Sequence, residues 1–233
     1  MSEIEAVERV FNDAAPQYDD TISANGWPAH NMLGEALAIQ HPVKHALDLG
    51  AGTGLSSDVI LEVTQPERIT AVDISEAMLE RLQRRHEGDP RLTIVKMAIE
   101  RFLAETPVRF DLAVAMGVAH FIRDFDVVIS GVARVLNDEG RFIFTYNPFI
   151  SGHPTQGESR STSGLTFYRR SPADIENALD RSGFKVVSNQ LFAANREHQN
   201  GFVVAKKPSS PHAVLAEVQV RPVARGGAAN PFS

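Results

Sequence analysis

Leu47-Asp48-Leu49-Gly50-Ala51-Gly52-Thr53-Gly54 joins an apolar strand to the start of a helix, and its reading decides the fold. Glycines on alternate positions permit positive φ and let the main chain approach a ligand closely. The helix that follows opens with free N–H groups. The spacing is G-x-G-x-G. Position 55 is Leu, so the dinucleotide pattern G-x-G-x-x-G fails at its third glycine. The Lys-Ser/Thr pair of a P-loop is absent as well. Taken alone, the loop means close backbone approach to a ligand, or a tight strand-to-helix turn that binds nothing.

Outward from the loop, strands and helices alternate. His45 to Leu49 reads as a strand, Leu55 to Val63 as a helix, Arg68 to Ile74 as a strand and Glu76 to His86 as a helix. Strands follow at Leu92 to Met97 and Phe110 to Ala115, then a helix from about Phe125 to Leu136, a turn at Asn137 to Gly140 and a strand at Arg141 to Tyr146. This rhythm implies an α/β domain: a parallel sheet with right-handed crossovers and helices on both faces. Upstream, Met1 to Phe11 is expected as a short helix, with Ile4, Val7, Val10 and Phe11 at helical spacing. Asn12 to Trp27 contains Pro16 and Gly26 and is expected as a loop; Pro28 to Gln40 is helix-like. Downstream, Asn147 to Arg170 is rich in Gly, Ser, Pro and Thr and is too long for an ordinary connection. Pro172 to Ser182 resumes as a helix, with Ser171 as N-cap and Gly183 as stop. Lys185 to Phe192 and Gly201 to Lys206 are the last strands, and 208–233 is expected to be a flexible tail.

The bulk numbers narrow the function classes. The chain has 233 residues, a formal net charge of -6 and no cysteine. The charge lacks the footprint of a nucleic-acid binder. Disulfides and thiolate metal sites are excluded, and no metal is expected. No stretch has the length of a membrane span, and Met1 to Val10 carries Glu3, Glu5 and Glu8 with no apolar core of a signal peptide. A cytoplasmic protein with neither nucleic-acid nor membrane partners is expected.

A second acid ends the next strand, Ile69-Thr70-Ala71-Val72-Asp73-Ile74-Ser75. Asp73 can accept both hydroxyls of a ribose, as strand-end acids do in nucleotide-binding α/β folds. It can also cap the following helix, a task that Ser75 could perform instead.

With these residues in place, Asp48 to Gly54 resembles the first motif of the class I S-adenosylmethionine-dependent methyltransferases. The resemblance implies a Rossmann-like doubly wound sheet of seven strands, mostly parallel with an antiparallel last strand. It implies that Gly50, Ala51, Gly52, Thr53 and Gly54 wrap the methionine part of S-adenosyl-L-methionine, with Asp48 near its amino group. Asp73 and Ile74 then meet the ribose, and Met78 the adenosine. At Lys96-Met97-Ala98-Ile99-Glu100, Ala98 stands where the family often has an acid. Adenine would then be read by the backbone of Ala98 and Ile99. Phe110 to Phe121 resembles the fourth-strand motif, with Met116, Gly117 and Val118 near the sulfonium. His120 falls where many small-molecule members carry a histidine facing the substrate; the alternative is a core or capping histidine. Phe11 to Asp19 is similar to the leader of ubiquinone-type and biotin-pathway methyltransferases, in which a tyrosine, here Tyr18, reaches the cofactor from a lid. Asn147-Pro148-Phe149 resembles an Asn-Pro-Pro-aromatic motif but follows the fifth strand rather than the fourth, and is set aside.

The expected organisation is a methyltransferase domain over 1–207, with 1–40 as helical lid and 147–170 as substrate-side loop. The expected activity is in-line methyl transfer to an O, N or C atom of a small-molecule acceptor. His120 would serve as base only for a nucleophile that must lose a proton. Trp27, Phe149, His153, Phe167 and Tyr168 are candidates for an aromatic substrate wall. Arg169 and Arg170 are candidates to grip a carboxylate or phosphate, or are solvated surface residues. The competing readings are a non-catalytic S-adenosylmethionine-binding module and an RNA or protein methyltransferase. Leu55 argues against an NAD-dependent dehydrogenase.

Overall fold

The computed structural model describes residues 2–39, 42–148, 157–161, 164–194 and 198–209. Two N-terminal helices, α1 (Glu3–Ala14) and α2 (Tyr18–Asn25), precede α3 (Ala29–Ala38). The alternating body runs β1 (His45–Leu49), α4 (Leu55–Thr64), β2 (Arg68–Asp73), α5 (Glu76–Arg85), β3 (Leu92–Lys96), α6 (Ile99–Glu105), β4 (Phe110–Ala115), α7 (Phe125–Val135) and β5 (Leu136–Tyr146). A small hairpin, β6 (Glu158–Arg160) and β7 (Thr166–Tyr168), leads to α8 (Pro172–Arg181), β8 (Lys185–Ala193) and β9 (Gln199–Lys206).

The main sheet has seven strands in the order β3-β2-β1-β4-β5-β9-β8. All neighbours from β3 to β5 are parallel, and β9 runs antiparallel to both β5 and β8. The expected doubly wound sheet with an antiparallel last strand is therefore present. The chain leaves β1 toward β2 on one side and returns as β4 on the other. That reversal opens a crevice at the carboxyl ends of β1 and β4, where such sheets bind ligands.

Side-chain alternation fixes the two faces. Phe142, Phe144 and Tyr146 of β5 enter one core with Phe102, Phe125 and Leu179. Ile143, between them, enters the opposite core with Leu33, Leu37 and Ile60. Both faces of the central strands are covered, so no polar alternation shows in β1 or β4.

Four sequence expectations are corrected. Asn12 to Trp27 is mostly helical rather than a loop: α1 continues to Ala14, a 3-10 turn spans Ala15–Gln17, and α2 ends at Gly26. Pro16 lies at the first turn of the 3-10 segment, where it removes no helical hydrogen bond, and Gly26 is a left-handed cap with φ 61. Asn137 to Gly140 belongs to β5 rather than to a separate turn; Glu139 takes a positive φ of 66 while its N–H donates to the carbonyl of Lys207, whose own N–H donates to the carbonyl of Gly140. The short helix α6 was not expected. The region 147–170 contains a paired hairpin, not only loop. Phe149, His153 and the tail beyond Ser209 lie outside the described residues.

Candidate active site

The glycine loop is held by main-chain bonds. Gly50 and Ala51 both donate to the carbonyl of Val72, at 2.7 and 3.1 Å. Gly50 has φ 70, and a Cβ there would stand 2.2 Å from Cγ2 of Val118. Contact between loop and β4 end therefore requires glycine. A Cβ on Gly52 (φ 54) would meet nothing nearer than 4.0 Å, because that side of the loop faces open space.

Asp73 closes the loop's opposite side. Its Oδ2 accepts the N–H of Gly52 at 2.9 Å and its Oδ1 accepts the N–H of Ser75 at 2.8 Å. Burial raises its pKa, while those backbone donors work in the other direction. Each carboxylate oxygen keeps acceptor capacity for a further donor. Ser75 is the cap of α5, receiving Met78 N–H at 3.2 Å, which leaves Asp73 to the cavity.

One cavity of about 300 Å³ collects these residues. Gly50, Gly52, Asp73, Ile74 and Met78 form one wall. Ala98 and Ile99 close the β3 end, and Met116, Gly117 and Val118 the β4 end. Tyr18 covers it from α2, its hydroxyl pKa pushed up to about 12 by burial and then by the negative charges of Asp73 and Asp19. Eleven residues expected from sequence thus meet on one surface.

The other expected residues take different places. Asp48 is buried beneath the loop, accepting from Ser57 Oγ at 2.7 Å, and burial pushes its pKa up to about 7. It does not line the cavity, nor do Ala51, Thr53 and Gly54. Ala51 packs into a small cluster with Ala71 and Leu82. Thr53 donates to Asp19 at 2.5 Å, and Gly54 (φ 96) lies against Leu82 and Arg85. The Trp27 ring lies behind Gly117, 3.5 Å from where a Cβ would be, and meets His30 edge-on. His120 stacks on Phe167 at 5.7 Å and packs against Phe121 at 4.2 Å. Burial, then the charge of Arg170, lowers its pKa to about 3, so the ring is neutral. Its Nδ1 has no hydrogen-bond partner among the described residues. Tyr168 donates to Glu3 at 2.8 Å. Arg169 joins the hairpin through its backbone, donating to Gly157 at 2.7 Å. Arg170 is not a free anion grip, because its guanidinium donates to the carbonyls of Ala119, Ile122 and Arg123 at 3.0, 2.6 and 2.9 Å.

Sequence reasoning missed the rest of the cover. Ile4, Val7 and Phe11 from α1 line the cavity, with Phe121, Ile122 and Arg123 after β4. The apolar spacing of α1 was the available signal, since that stripe must bury against something. Two polar clasps hold this cover. Asp19 of α2 binds Arg85 at 2.5 Å and Arg81 at 3.3 Å. Asn12 of α1 accepts from Ser75 Oγ at 2.8 Å and from Ala77 N–H at 3.2 Å, beside Asp73.

The assembled site offers a buried carboxylate for a diol, an apolar slot for a flat ring, and a bare backbone edge at Gly52 for an amino-acid moiety. These features fit adenosine linked to methionine. Among the described residues no cluster of His, Asp and Glu could hold a metal, and no helix is long and apolar enough to cross a membrane.

The chain is similar to known methyltransferases. A family model described as a methyltransferase domain matches residues 47–142. A malonyl-[acyl-carrier protein] O-methyltransferase of Anoxybacillus flavithermus is 26% identical over 145 residues, covering 62% of this chain and 54% of that protein. One of the same name from Halalkalibacterium halodurans is 26% identical over 204 residues, covering 84% and 74%. The chain spans about half the length of the first curated relatives it matches. Among solved structures, Burkholderia thailandensis 1,6-didemethyltoxoflavin-N1-methyltransferase, bound to 1,6-didemethyltoxoflavin and S-adenosylhomocysteine, superposes with a TM-score of 0.68 at 20% identity, covering 88% of each chain. Magnesium protoporphyrin IX methyltransferase of Synechocystis, with bound SAM, superposes with a TM-score of 0.69 at 16% identity, covering 89% of this chain and 98% of that one. These structures share the fold.

Proposed function

We propose, from the premise that this chain belongs to the class I S-adenosylmethionine-dependent methyltransferases, that it transfers a methyl group to an O, N or C atom of a small-molecule acceptor. The observation that carries the reading is the meeting of Asp73, Gly52, Ala98, Ile99 and Val118 on one cavity.

When bound, S-adenosylmethionine supplies a methyl group already activated by its sulfonium charge. The chain's own task is alignment and exclusion of water. Asp73 accepts the ribose hydroxyls through lone pairs that Gly52 and Ser75 leave available. Gly52 admits the amino-acid end because it projects no side chain. Ala98 and Ile99 present backbone to the adenine edge, and Met78 and Ile74 supply apolar contact. Tyr18 and Phe11 close the cavity against solvent. A base with a pKa of about 3 is far from an effective general base near neutral pH. His120 packs against Phe121 and Phe167 and is not among the residues that line the cavity, so the reaction suits a nucleophile that arrives deprotonated or needs no base.

A second reading places the acceptor on a carrier protein, as a carboxyl group. It is favoured by the shared name of relatives that align over as much as 84% of this chain. Transfer of radiolabelled methyl from S-adenosylmethionine, with S-adenosylhomocysteine as the second readout, tests both. Label on a small carboxylic acid, amine or phenol supports the first, and label only on an acylated carrier protein supports the second. Cofactor binding without turnover over the whole panel would leave a non-catalytic binding module.

A further inference from the structure

Arg85 is the last residue of α5 and is not among the residues that line the cavity. Its guanidinium nonetheless turns each of its three nitrogens to a different element. Nη2 donates to Asp19 of α2 at 2.5 Å, and Nη1 to Asp58 of α4 at 2.6 Å. Nε donates to the carbonyl of Thr53 in the glycine loop at 2.9 Å. Two of these contacts close a ring, because the Thr53 hydroxyl donates to the other oxygen of Asp19 at 2.5 Å. Gly54 lets the arginine stem pass beside the loop: a Cβ there would stand 3.3 Å from Cδ of Arg85. The ring reaches the cavity through sequence neighbours. Tyr18 precedes Asp19, Gly52 precedes Thr53, and both line it. Arg81 differs, since its partners Asp19, at 3.3 Å, and the Pro16 carbonyl, at 3.4 Å, both belong to the cover. A lysine does not replace Arg85 contact for contact, because one ammonium lacks the planar fork that meets three acceptors in three directions.

We propose that Arg85 is a positioning residue through which the glycine loop and the cover act as one unit. A cofactor seated on the loop fixes the Thr53 carbonyl, Arg85 passes that position to Asp19, and α2 is held closed. α1 joins α2 through the 3-10 turn and brings Ile4, Val7 and Phe11 to the lining. The proposal rests on the methyltransferase reading and names how the two sides of that site are coupled. By linkage, whatever steadies the loop steadies the cover, and the reverse. A second route, from Gly52 through Asp73 and Ser75 to Asn12, ends on α1 and is the control.

The test is amide hydrogen exchange of the full chain, free and saturated with S-adenosylhomocysteine, each variant being titrated to the same occupancy. In the wild type the ligand should slow exchange in α2 about tenfold. Arg85→Gln should lose most of that protection although the site is full, and Arg85→Lys should keep part of it. Asp19→Ala should show the same loss, and the double variant no more than either single one. Asn12→Ala should keep the protection of α2. Full protection of α2 in saturated Arg85→Gln means that the ligand holds the cover by direct contact, and overturns the proposal. So does a wild type whose α2 gains no protection. Where Arg85→Gln does not fold, Asp19→Ala decides by the same comparison. All of these outcomes leave the methyltransferase reading intact, whereas failure of S-adenosylhomocysteine to bind the wild type removes both.

Discussion

The floor and the cover of the cavity are built by different means. The floor is made of strand ends between Gly50 and Val118, positioned by the parallel ladder and by main-chain bonds such as Gly50 and Ala51 to Val72. The cover comes from α1, α2 and the turn after β4, and side chains hold it: Asp19 to Arg85, Asn12 to Ser75, Glu3 to Arg123. A floor fixed by backbone is rigid and tolerates little change. A cover fixed by partly exposed side-chain pairs, each worth about 1 kcal/mol or less, is the part we propose opens and recloses. The difference teaches where the chain keeps geometry by backbone and where by side chains alone.

The largest effect should come from the floor. Gly50→Ala would drive a Cβ into Val118 at a positive φ, and S-adenosylhomocysteine affinity should fall about a hundredfold or more. Calorimetry reads the affinity, and a thermal melt reads the accompanying loss of stability. Wild-type affinity in this variant would break the contrast.

Beneath the floor, Asp48 should tie stability to pH. Its folded pKa of about 7 lies above the ordinary 3.8 because it is buried. Between those values the native state holds more protons than the unfolded chain, so this contribution is full below about pH 4 and is lost as pH rises through 7. Asp48→Asn should melt a few degrees above wild type at pH 8 and converge with it near pH 4. His120 has the opposite slope: kept neutral by burial, it disfavours the native state as pH falls from 6.5 toward 3. Parallel melting curves of wild type and Asp48→Asn across the range would contradict the assignment.

The smallest effect should come from the cover. Asp19→Ala removes the clasp on Thr53, Arg81 and Arg85 and should speed release of S-adenosylhomocysteine about fivefold, with little change in melting temperature. Stopped-flow displacement reads that rate. A loss as large as that of Gly50→Ala would mean that the cover, too, is part of the rigid frame.

The same division explains what was legible in the sequence. Strands β1, β2 and β4 stood out because buried parallel strands are continuous apolar runs, and Asp73 stood out because it ends one of them. Asp48 was harder to place. It shares the loop motif, yet strand alternation turns its side chain down to Ser57 rather than into the cavity. The cover was hardly legible. Pro16 and Gly26 suggested a loop where one begins a turn and the other ends α2. Phe121, Ile122 and Arg123 line the cavity from a turn whose carbonyls at Ala119, Ile122 and Arg123 are held by Arg170, distant in sequence. Local pattern carries no signal for such long-range contacts.

The central claim is that Asp73 and the glycine loop form a cofactor pocket. Titration of S-adenosylhomocysteine into wild-type and Asp73→Asn protein tests it most directly. The account predicts one site on the wild type and an affinity lower by about ten- to a hundredfold in the variant, as expected when charge-assisted hydrogen bonds are lost. Equal affinities in two folded proteins, or no binding to the wild type, would contradict it.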